Sequence, residues 1–341
     1  MSDTKTDNKL SFKDFKSDQE IRWCAGCGDT GILMSVQKAM AQLPHKRENY
    51  AVISGIGCSS RFPYYMNTYG FHGIHGRAGV LASGVKTANP ELSVWQITGD
   101  GDGMAIGGNH FIHEIRRNID LNLVLFNNEI YGLTKGQYSP TSQLGQVTKT
   151  SPFGTIEPPF NPGELTIGAQ GTFFARGADV KVKELTDILV EADKHKGTSV
   201  VEVLQNCVIY NDGAHSAVTA KDVRDDNQLW LEHGKPMLYG KDNQKGIVLD
   251  GWQLKAVELG KDGYTEADIL VHDAKMKNPA LHLMLVRMGL PDLPVAMGVI
   301  RAVEAPTYEQ LLENQIKTVQ KTAKIKNMDD LLNSGKTWTV S

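Results

Sequence analysis

The sequence lacks several features that would assign it to a specialised class of protein. Its 36 Lys and Arg residues nearly balance its 39 Asp and Glu residues, for a formal net charge of −3. Nucleic-acid-binding proteins usually carry a basic surplus, so the composition does not support that class. No apolar run approaches the ~20 residues of a membrane-spanning helix. The polar start, MSDTKTDNKL, has no apolar signal-peptide core. We therefore expect a cytoplasmic protein with no membrane or nucleic-acid partner.

Cysteine is also scarce. The 341 residues include four cysteines: Cys24, Cys27, Cys58 and Cys207. Structural disulfides are rare in the cytoplasm, whereas four thiolates suit either a tetrahedral zinc ion or a cubane iron–sulfur cluster. A structural zinc module usually brings two close pairs, and only Cys24 and Cys27 form a Cys-x-x-Cys pair here. The spacing favours a cluster, and zinc, a disulfide and unligated thiols stay open as alternatives.

Strand-like and helix-like segments alternate along the chain. Buried strands are predicted over residues 50–56, 92–98, 121–128 and 198–204. Helical periodicity predicts helices over residues 30–43, 76–89, 104–117, 164–176 and 183–196. This alternation predicts an α/β fold, with a parallel sheet covered by helices on both faces.

The chain divides into three regions of different character. Residues 1–20 are predicted to be a polar N-terminal arm, and residues 21–215 contain the alternating elements and all four cysteines. Residues 216–341 form a C-terminal extension, polar and charged over its first part. The long loop 130–162 carries five prolines, and loops of this length are usually functional or disordered.

The C-terminal region carries a few local signals. Asp250-Gly251, between two apolar runs, predicts a β-hairpin with a type I′ turn. One helix is predicted after Thr265 and another after Pro306. At the second helix, Thr307 and Gln310 have the spacing of a capping box.

The segments GDGD (residues 99–102) and Asn127-Asn128 follow two successive predicted strands. Ligands of open parallel sheets bind outside the carboxyl ends of the strands, so both segments should lie at one rim. The Asp100 carboxylate, the Asn128 amide oxygen and the Ile130 carbonyl are hard oxygens that suit Mg²⁺, and the next helix offers free N–H groups to a diphosphate. The alternative is a plain strand–turn–helix junction with Asp100 as helix cap. We expect a magnesium–diphosphate site.

Several segments of the sequence resemble the β subunits of 2-oxoacid:ferredoxin oxidoreductases. GDGD followed by NNEIYG matches the thiamine diphosphate signature. WCAGCGDTGI, GIGCSSR, HGIHGRA, TGDGDGMAIGGNH and NNEIYGLTKGQYSPTS occur in order between residue 22 and the late Cys207. The chain is most similar to the 2-oxoglutarate branch, although the substrate branches share most of these motifs. The resemblance implies a thiamine diphosphate-binding fold.

The resemblance also implies specific ligands. One [4Fe–4S] cluster would be held by Cys24, Cys27, Cys58 and Cys207, and Mg²⁺ by Asp100, Asn128 and the carbonyl of Ile130. The predicted cofactor contacts are Gly99, Asp100, Gly101, Asp102, Asn128, Ile130, Cys58, Ser59 and His75. The predicted catalytic or substrate-contacting residues are His75, Arg77, Lys135 and Arg61. For these four, a structural or surface role is the alternative.

The implied reaction is the reversible oxidative decarboxylation of 2-oxoglutarate with coenzyme A to succinyl-CoA and CO₂. Electrons would pass through the one cluster to ferredoxin. The glutamate that activates the aminopyrimidine would come from an α subunit carrying the pyrimidine-binding domain, in an (αβ)₂ assembly. The alternatives are a pyruvate or broad 2-oxoacid enzyme, a non-oxidative thiamine decarboxylase or carboligase, and a non-catalytic electron-transfer subunit.

Overall fold

The computed structural model describes residues 10–340. Its strands are β1 (Tyr50–Ser54), β2 (Tyr69–His72), β3 (Ser93–Gly99), β4 (Asn122–Asn127), β5 (Phe173–Ala178), β6 (Ser199–Leu204), β7 (Gln228–Leu231), β8 (Leu238–Tyr239), β9 (Lys245–Asp250), β10 (Gln253–Glu258) and β11 (Val295–Ala302). Its α-helices are α1 (Asp29–Met40), α2 (Ala78–Ala88), α3 (Gly108–Arg117), α4 (Pro162–Gly168), α5 (Val182–Lys194), α6 (Ser216–Thr219), α7 (Arg224–Asn227), α8 (Ala280–Arg287), α9 (Tyr308–Thr322) and α10 (Met328–Leu332). None of the helices within residues 10–340 has the length and apolar character needed to cross a bilayer.

One eight-stranded sheet organises the fold, in the order β2-β1-β3-β4-β6-β5-β11-β7. The first six of these strands are parallel, while β11 runs antiparallel to β5 and β7 runs parallel to β11. Strands β8, β9 and β10 form a separate antiparallel sheet. The predicted α/β class is confirmed. The C-terminal region contributes β7 and β11 to the main sheet as well as the small sheet.

The central strands are buried on both faces, as parallel strands between two helical layers are. In β4, Leu123 and Leu125 point into a core shared with α3 and α8, whereas Val124 and Phe126 point into a core shared with α1 and α5. Because strand side chains alternate between faces, one apolar run supplies both cores. This packing holds the carboxyl ends of β1, β3 and β4 side by side.

One predicted helix is partly wrong. The segment expected to be helical over residues 164–176 contains the short helix α4 and then strand β5, whose six residues are all buried. Gln170, at a φ of 67°, lies in the turn between them. A short apolar run fits either a buried helix or a buried strand. Pairing with β6 and β11 decides for a strand, because it satisfies the buried backbone groups.

Three smaller expectations are also refined. The helix expected over residues 104–117 begins instead as a π-helical turn, Asp102–Ile106, and continues as α3. The hairpin β9–β10 is confirmed, but its loop residues are Gly251 and Trp252, and only Gly251 has a positive φ (60°), so the type I′ turn is wrong. The helix expected after Thr265 is one 3₁₀ turn, Glu266–Asp268. The capping box of Thr307 and Gln310 at α9 is confirmed.

The predicted N-terminal arm falls partly outside the described residues, which begin at residue 10. Within the described part, Phe15 is fully buried and packs edge-on against Tyr50, with ring centroids 5.5 Å apart. Lys16 pairs with Met66 through the backbone, in an isolated antiparallel β-bridge. The described part of the arm is therefore anchored to the body of the fold.

A buried carboxyl group lies between α3 and β3. Glu114 is 2% exposed, and its Oε1 accepts a 3.1 Å hydrogen bond from the amide nitrogen of Gln96. Its Oε2 and the Gln96 Oε1 have no hydrogen-bond partner among the described residues. Burial raises the pKa of Glu114 to about 8. The group is therefore mostly protonated, and so neutral, at pH 7.

The substitution Glu114→Gln is expected to remove a pH dependence of stability. The folded-state pKa of Glu114 lies above the unfolded value, so its stabilising contribution is complete at acidic pH and falls as pH rises toward about 8. The slope is about 1.4 kcal/mol per pH unit. Urea unfolding at pH 5.5, 6.5 and 7.5 should show Glu114→Gln gaining stability over the wild type as pH rises, while the exposed control Glu91→Gln does not. Parallel pH profiles of wild type and Glu114→Gln would contradict a neutral Glu114.

Candidate functional site

A cavity lies at the carboxyl ends of β1, β3 and β4. It is formed by the loops that follow these three strands, together with Asp29 at the start of α1 and His75 in the loop between β2 and α2. All nine predicted cofactor contacts line it: Gly99, Asp100, Gly101, Asp102, Asn128, Ile130, Cys58, Ser59 and His75. Wider clefts near α6 and between β7 and β8 hold none of the predicted site residues. The fold thus gathers both sequence motifs and one of the four cysteines at one place.

Asp100 is one of three aspartates that line this cavity, with Asp29 and Asp102. It is 2% exposed, and its Oδ2 accepts hydrogen bonds from the hydroxyls of Ser139 (2.6 Å) and Thr141 (2.5 Å). Both hydroxyls belong to the long loop 130–162, which folds back over the strand end. Burial raises the pKa of Asp100 to about 6, with the two hydroxyls opposing the shift. A buried carboxylate of this kind is stabilised by a bound cation.

Asn128 also lines the cavity, where its side-chain amide offers an oxygen. Its Nδ2 donates to Oε1 of Gln205 (2.7 Å), and its Oδ1 accepts from the backbone N–H of Ile130 (3.2 Å). Position 101 requires a glycine, because a Cβ there would overlap the ring of Tyr131, three residues after Asn128. The hydroxyl of Tyr131 donates to the Gly101 carbonyl at 2.8 Å. The two motifs are therefore locked together by direct contact.

Asp102 holds the walls of the cavity together. Its Oδ1 pairs with Nδ1 of His75 (2.6 Å) and accepts from the backbone N–H groups of Gly76 (2.7 Å) and Ile56 (3.1 Å). Its Oδ2 accepts from the hydroxyl of Thr98 (2.7 Å). The carboxylate is thus occupied by donors of the protein. Its geometric effect is to orient the His75 ring and to join three loops.

The cysteines converge beside the same cavity. A Cβ on Gly132 would lie 3.5 Å from the sulfurs of both Cys58 and Cys207, so these two sulfurs lie within about 7 Å of each other. Cys27 and Cys24 share a tight turn, in which the Cys27 N–H donates to the Cys24 carbonyl at 3.1 Å. Burial raises the pKa of the Cys58 thiol to about 12 and also raises that of Cys27. Thiols in this setting become thiolates when a metal centre is bound.

Three predicted residues do not line the cavity. Arg61 lies in the 3₁₀ helix that follows Cys58. Arg77 precedes α2, and its guanidinium donates to the carbonyls of Gly76 (3.2 Å) and Ile106 (3.4 Å). Lys135 is exposed at a φ of 79°, just beyond the loop that lines the cavity. Their predicted roles in catalysis stay predictions.

Several contacts at this site are not predicted by the sequence. They are made by Ser139 and Thr141 on Asp100, by Gln205 on Asn128, and by the buried Arg176–Glu202 ion pair (2.7 Å) beside Asn127. Gln205 directly follows β6, so the rule that placed Asp100 and Asn128 at strand ends could have found it. The hydroxyls of Ser139 and Thr141 lie in an irregular loop, and the local sequence pattern does not predict the contacts of such a loop.

The chain is similar to known proteins over this region and beyond it. The family model for the thiamine pyrophosphate enzyme C-terminal TPP-binding domain matches residues 55–203. The 2-oxoglutarate oxidoreductase subunit KorB of Mycobacterium tuberculosis is 44% identical over 338 residues, which cover 98% of this chain and 90% of that protein. The 2-oxoglutarate synthase subunit KorB of Archaeoglobus fulgidus is 46% identical over 54% of this chain and 69% of that protein.

A solved structure is similar over nearly the whole fold. It is a 2-oxoglutarate:ferredoxin oxidoreductase from Magnetococcus marinus with 2-oxoglutarate, coenzyme A and succinyl-CoA bound. The TM-score is 0.76 at 31% identity, over 98% of each chain. Fold, matched domain and strand-end motifs define the class as thiamine diphosphate enzymes. Within that class the chain belongs to the family of 2-oxoglutarate:ferredoxin oxidoreductase β subunits, so the predicted family is confirmed.

Proposed function

We propose that this chain binds thiamine diphosphate, Mg²⁺ and one [4Fe–4S] cluster. In this proposal the assembled enzyme reversibly converts 2-oxoglutarate and coenzyme A to succinyl-CoA and CO₂, with ferredoxin as electron acceptor. The observation that carries the proposal is a single cavity lined by Asp100, Asn128 and Cys58. The ligands named for the Magnetococcus marinus relative support the choice of substrate.

The residues around Asp100 fit a magnesium–diphosphate group. The side-chain hydroxyls that reach Asp100 both bond to Oδ2, and Gln205 takes up the Nδ2 end of Asn128. With the Ile130 carbonyl, these side chains would supply the hard oxygens that Mg²⁺ prefers. When bound, thiamine diphosphate would supply the electron sink for decarboxylation. In this proposal, the chain holds the cofactor at the buried carboxyl ends of the strands.

The cysteine arrangement fits a cluster better than a zinc ion. Residues 10–340 contain no group of three or more His, Cys, Asp or Glu side chains close enough for a single metal ion. Tetrahedral zinc, with Zn–S bonds of about 2.3 Å, needs sulfurs within about 4 Å of one another. A cluster spreads its cysteines over separate irons, so its ligand sulfurs stand further apart. We assign Cys24, Cys27, Cys58 and Cys207 as its four ligands.

We place the remaining partners around the cavity. An α subunit with the pyrimidine-binding domain would complete the cofactor site, in an (αβ)₂ assembly. Exposed apolar residues beside the cavity, including Phe71, Ile74 and Ile106, support a protein interface there. His75 and Arg77 would contact the substrate carboxylate or the cofactor diphosphate. Arg61 would bind the substrate or raise the cluster potential, and Lys135 would attract the anionic substrate or coenzyme A. A cytoplasmic location, where thiols stay reduced, is part of the proposal.

The test is the anaerobic visible spectrum of the chain copurified with its partner subunit. Broad visible absorption that bleaches on addition of 2-oxoglutarate and coenzyme A, but not pyruvate and coenzyme A, is the expected result. Bleaching with both substrates would favour a broad 2-oxoacid enzyme. A colourless, zinc-containing protein would refute the cluster. A coloured protein that no 2-oxoacid bleaches would refute the substrate class.

A further inference from the structure

Gln205 makes hydrogen bonds toward both proposed centres. This side chain follows β6 and is 1% exposed. Its Oε1 accepts from Nδ2 of Asn128 at 2.7 Å. Its Nε2 donates to the backbone carbonyl of Asn206 at 2.6 Å and to the sulfur of Cys27 at 3.5 Å. One buried amide therefore touches a proposed magnesium ligand and a proposed cluster ligand.

These contacts determine the orientation of the Gln205 amide. A side-chain amide has two N–H donors at one end and an acceptor oxygen at the other. Here both donors face acceptors and the oxygen faces a donor. A flipped amide would place its N–H groups against Nδ2 of Asn128 and its oxygen against the Asn206 carbonyl. Both contacts would then be repulsive at a buried site, so the present orientation is strongly preferred.

The orientation of Gln205 determines that of Asn128. Because Oε1 of Gln205 accepts from Nδ2, the Oδ1 of Asn128 lies at the opposite end of its amide, where it also accepts from the N–H of Ile130. Asn128 lines the cavity together with Asp100. A cation there requires the oxygen and not the NH₂ group. Without Gln205, only the longer 3.2 Å hydrogen bond from the Ile130 N–H would distinguish the two ends of the Asn128 amide.

The contact with Cys27 acts on the second centre. An N–H donor near a ligating sulfur stabilises the additional negative charge of a reduced cluster. Hydrogen bonds to the sulfurs are therefore among the factors that set cluster potentials, and each donor raises the potential. The Gln205 donor reaches Cys27 from a segment 178 residues further along the chain.

We propose that Gln205 is a positioning residue that serves both centres. It presents the amide oxygen of Asn128 to Mg²⁺ and raises the potential of the cluster through Cys27. This inference rests on the proposed function. What the inference adds is one buried side chain that contacts a ligand of each centre. A change at Gln205 should therefore alter cofactor binding and the electron affinity of the cluster together.

The test uses Gln205→Leu in the complete enzyme with its partner subunit. Two quantities are measured: the Mg²⁺ concentration for half-maximal thiamine diphosphate binding, and the cluster midpoint potential in an anaerobic titration followed by electron paramagnetic resonance. Loss of an outer contact at a metal site costs about 10–100-fold in metal affinity. We expect a Mg²⁺ requirement at least about tenfold higher, together with a lower potential.

The matched control is Gln228→Leu. Gln228 is also a buried strand-end glutamine, 4% exposed, which donates to the Val218 carbonyl (2.8 Å) and accepts from the Trp230 indole (2.8 Å). It lies outside the cavity. Gln228→Leu should leave both quantities at wild-type values even if it lowers the melting temperature. A shift common to both variants would indicate a merely structural effect and overturn the inference.

A second variant separates the two contacts and covers a folding failure of Gln205→Leu. Gln205→Glu keeps an acceptor for Asn128 but replaces the donor that faces Cys27 and the Asn206 carbonyl with a second, negatively charged oxygen. Loss of the donor and the added charge near Cys27 both act to lower the cluster potential. The variant should lower the potential while the Mg²⁺ requirement stays within about threefold of wild type. The inference is overturned if Gln205→Leu leaves either quantity unchanged, or if Gln205→Glu keeps the wild-type potential. A wild-type enzyme without a cluster signal or a Mg²⁺ requirement would instead refute the proposed function itself.

Discussion

Asp100→Asn is expected to abolish thiamine diphosphate binding at ordinary Mg²⁺ concentrations, and with it 2-oxoacid oxidation. The change keeps the size of the side chain and an acceptor for Ser139 and Thr141, but it removes the only full negative charge among the three proposed magnesium ligands. Loss of a charged metal ligand costs several kcal/mol, which corresponds to about a thousandfold in affinity or rate. Calorimetric titration with thiamine diphosphate at fixed Mg²⁺, followed by activity assay, measures this loss.

Asp193→Asn is the matched control for this experiment. Asp193 is another buried aspartate, which accepts from Ser93 (2.5 Å) and Asn122 (2.8 Å) and pairs with His45 (2.8 Å), away from the cavity. Its replacement should lower stability but leave cofactor affinity within about threefold of wild type. If Asp100→Asn binds the cofactor as tightly as this control, Asp100 is not a metal ligand. If the wild-type enzyme binds no thiamine diphosphate, the chain is the non-catalytic subunit considered as an alternative.

Cys207→Ser is expected to remove the cluster while thiamine diphosphate still binds. Cys207 lies outside the cofactor cavity, and its sulfur lies beside Gly132, across from that of Cys58. Mutation of residues that hydrogen-bond to a metal ligand typically lowers metal affinity or activity about 10–100-fold. Loss of a direct ligand should therefore lower the rate of ferredoxin reduction more than about a hundredfold. Iron and sulfide content, visible absorption and ferredoxin-linked activity check this directly.

The chain offers no fifth cysteine, so the neighbouring residue provides the control. Val208→Ser introduces the same side chain one position later and should keep iron, sulfide and colour. Wild-type iron content in Cys207→Ser would show that Cys207 is not a ligand. Loss of thiamine diphosphate binding in the same variant would show that the two centres depend on each other for assembly.

A buried ion pair in the sheet is connected by hydrogen bonds to the residues at the strand ends. Arg176 in β5 pairs with Glu202 in β6 at 2.7 Å, and the second oxygen of Glu202 accepts from Nδ2 of Asn127 at 2.8 Å. The Asn127 oxygen lies 2.9 Å from the Thr141 hydroxyl, which donates its proton to Asp100 at the shorter distance of 2.5 Å. Buried pairs rarely add stability over apolar residues, but they do orient polar neighbours. Here the polar chain crosses four adjacent strands and ends at the proposed metal ligand.

The sequence alone established the α/β class, the family and the position of the main motifs. Gly-Asp-Gly and Asn-Asn could be placed at one rim because each follows a buried strand, and parallel strands end on the same side of a sheet. The helix cap at Thr307 and the hairpin at Gly251 were also readable, since each depends on residues within a few positions of one another. Such features are encoded locally.

Only the tertiary structure decided the contacts between distant segments. The sequence predicts a helix across β5 because its apolar run fits both a helix and a strand, and pairing with β6 and β11 makes it a strand. Ser139 reaches Asp100 across 39 residues, and Gln205 reaches Asn128 across 77 and Cys27 across 178. Periodicity specifies which face a residue occupies, but not which distant side chain it will meet. That depends on strand order and loop path, which bring these groups together only when the sheet is complete.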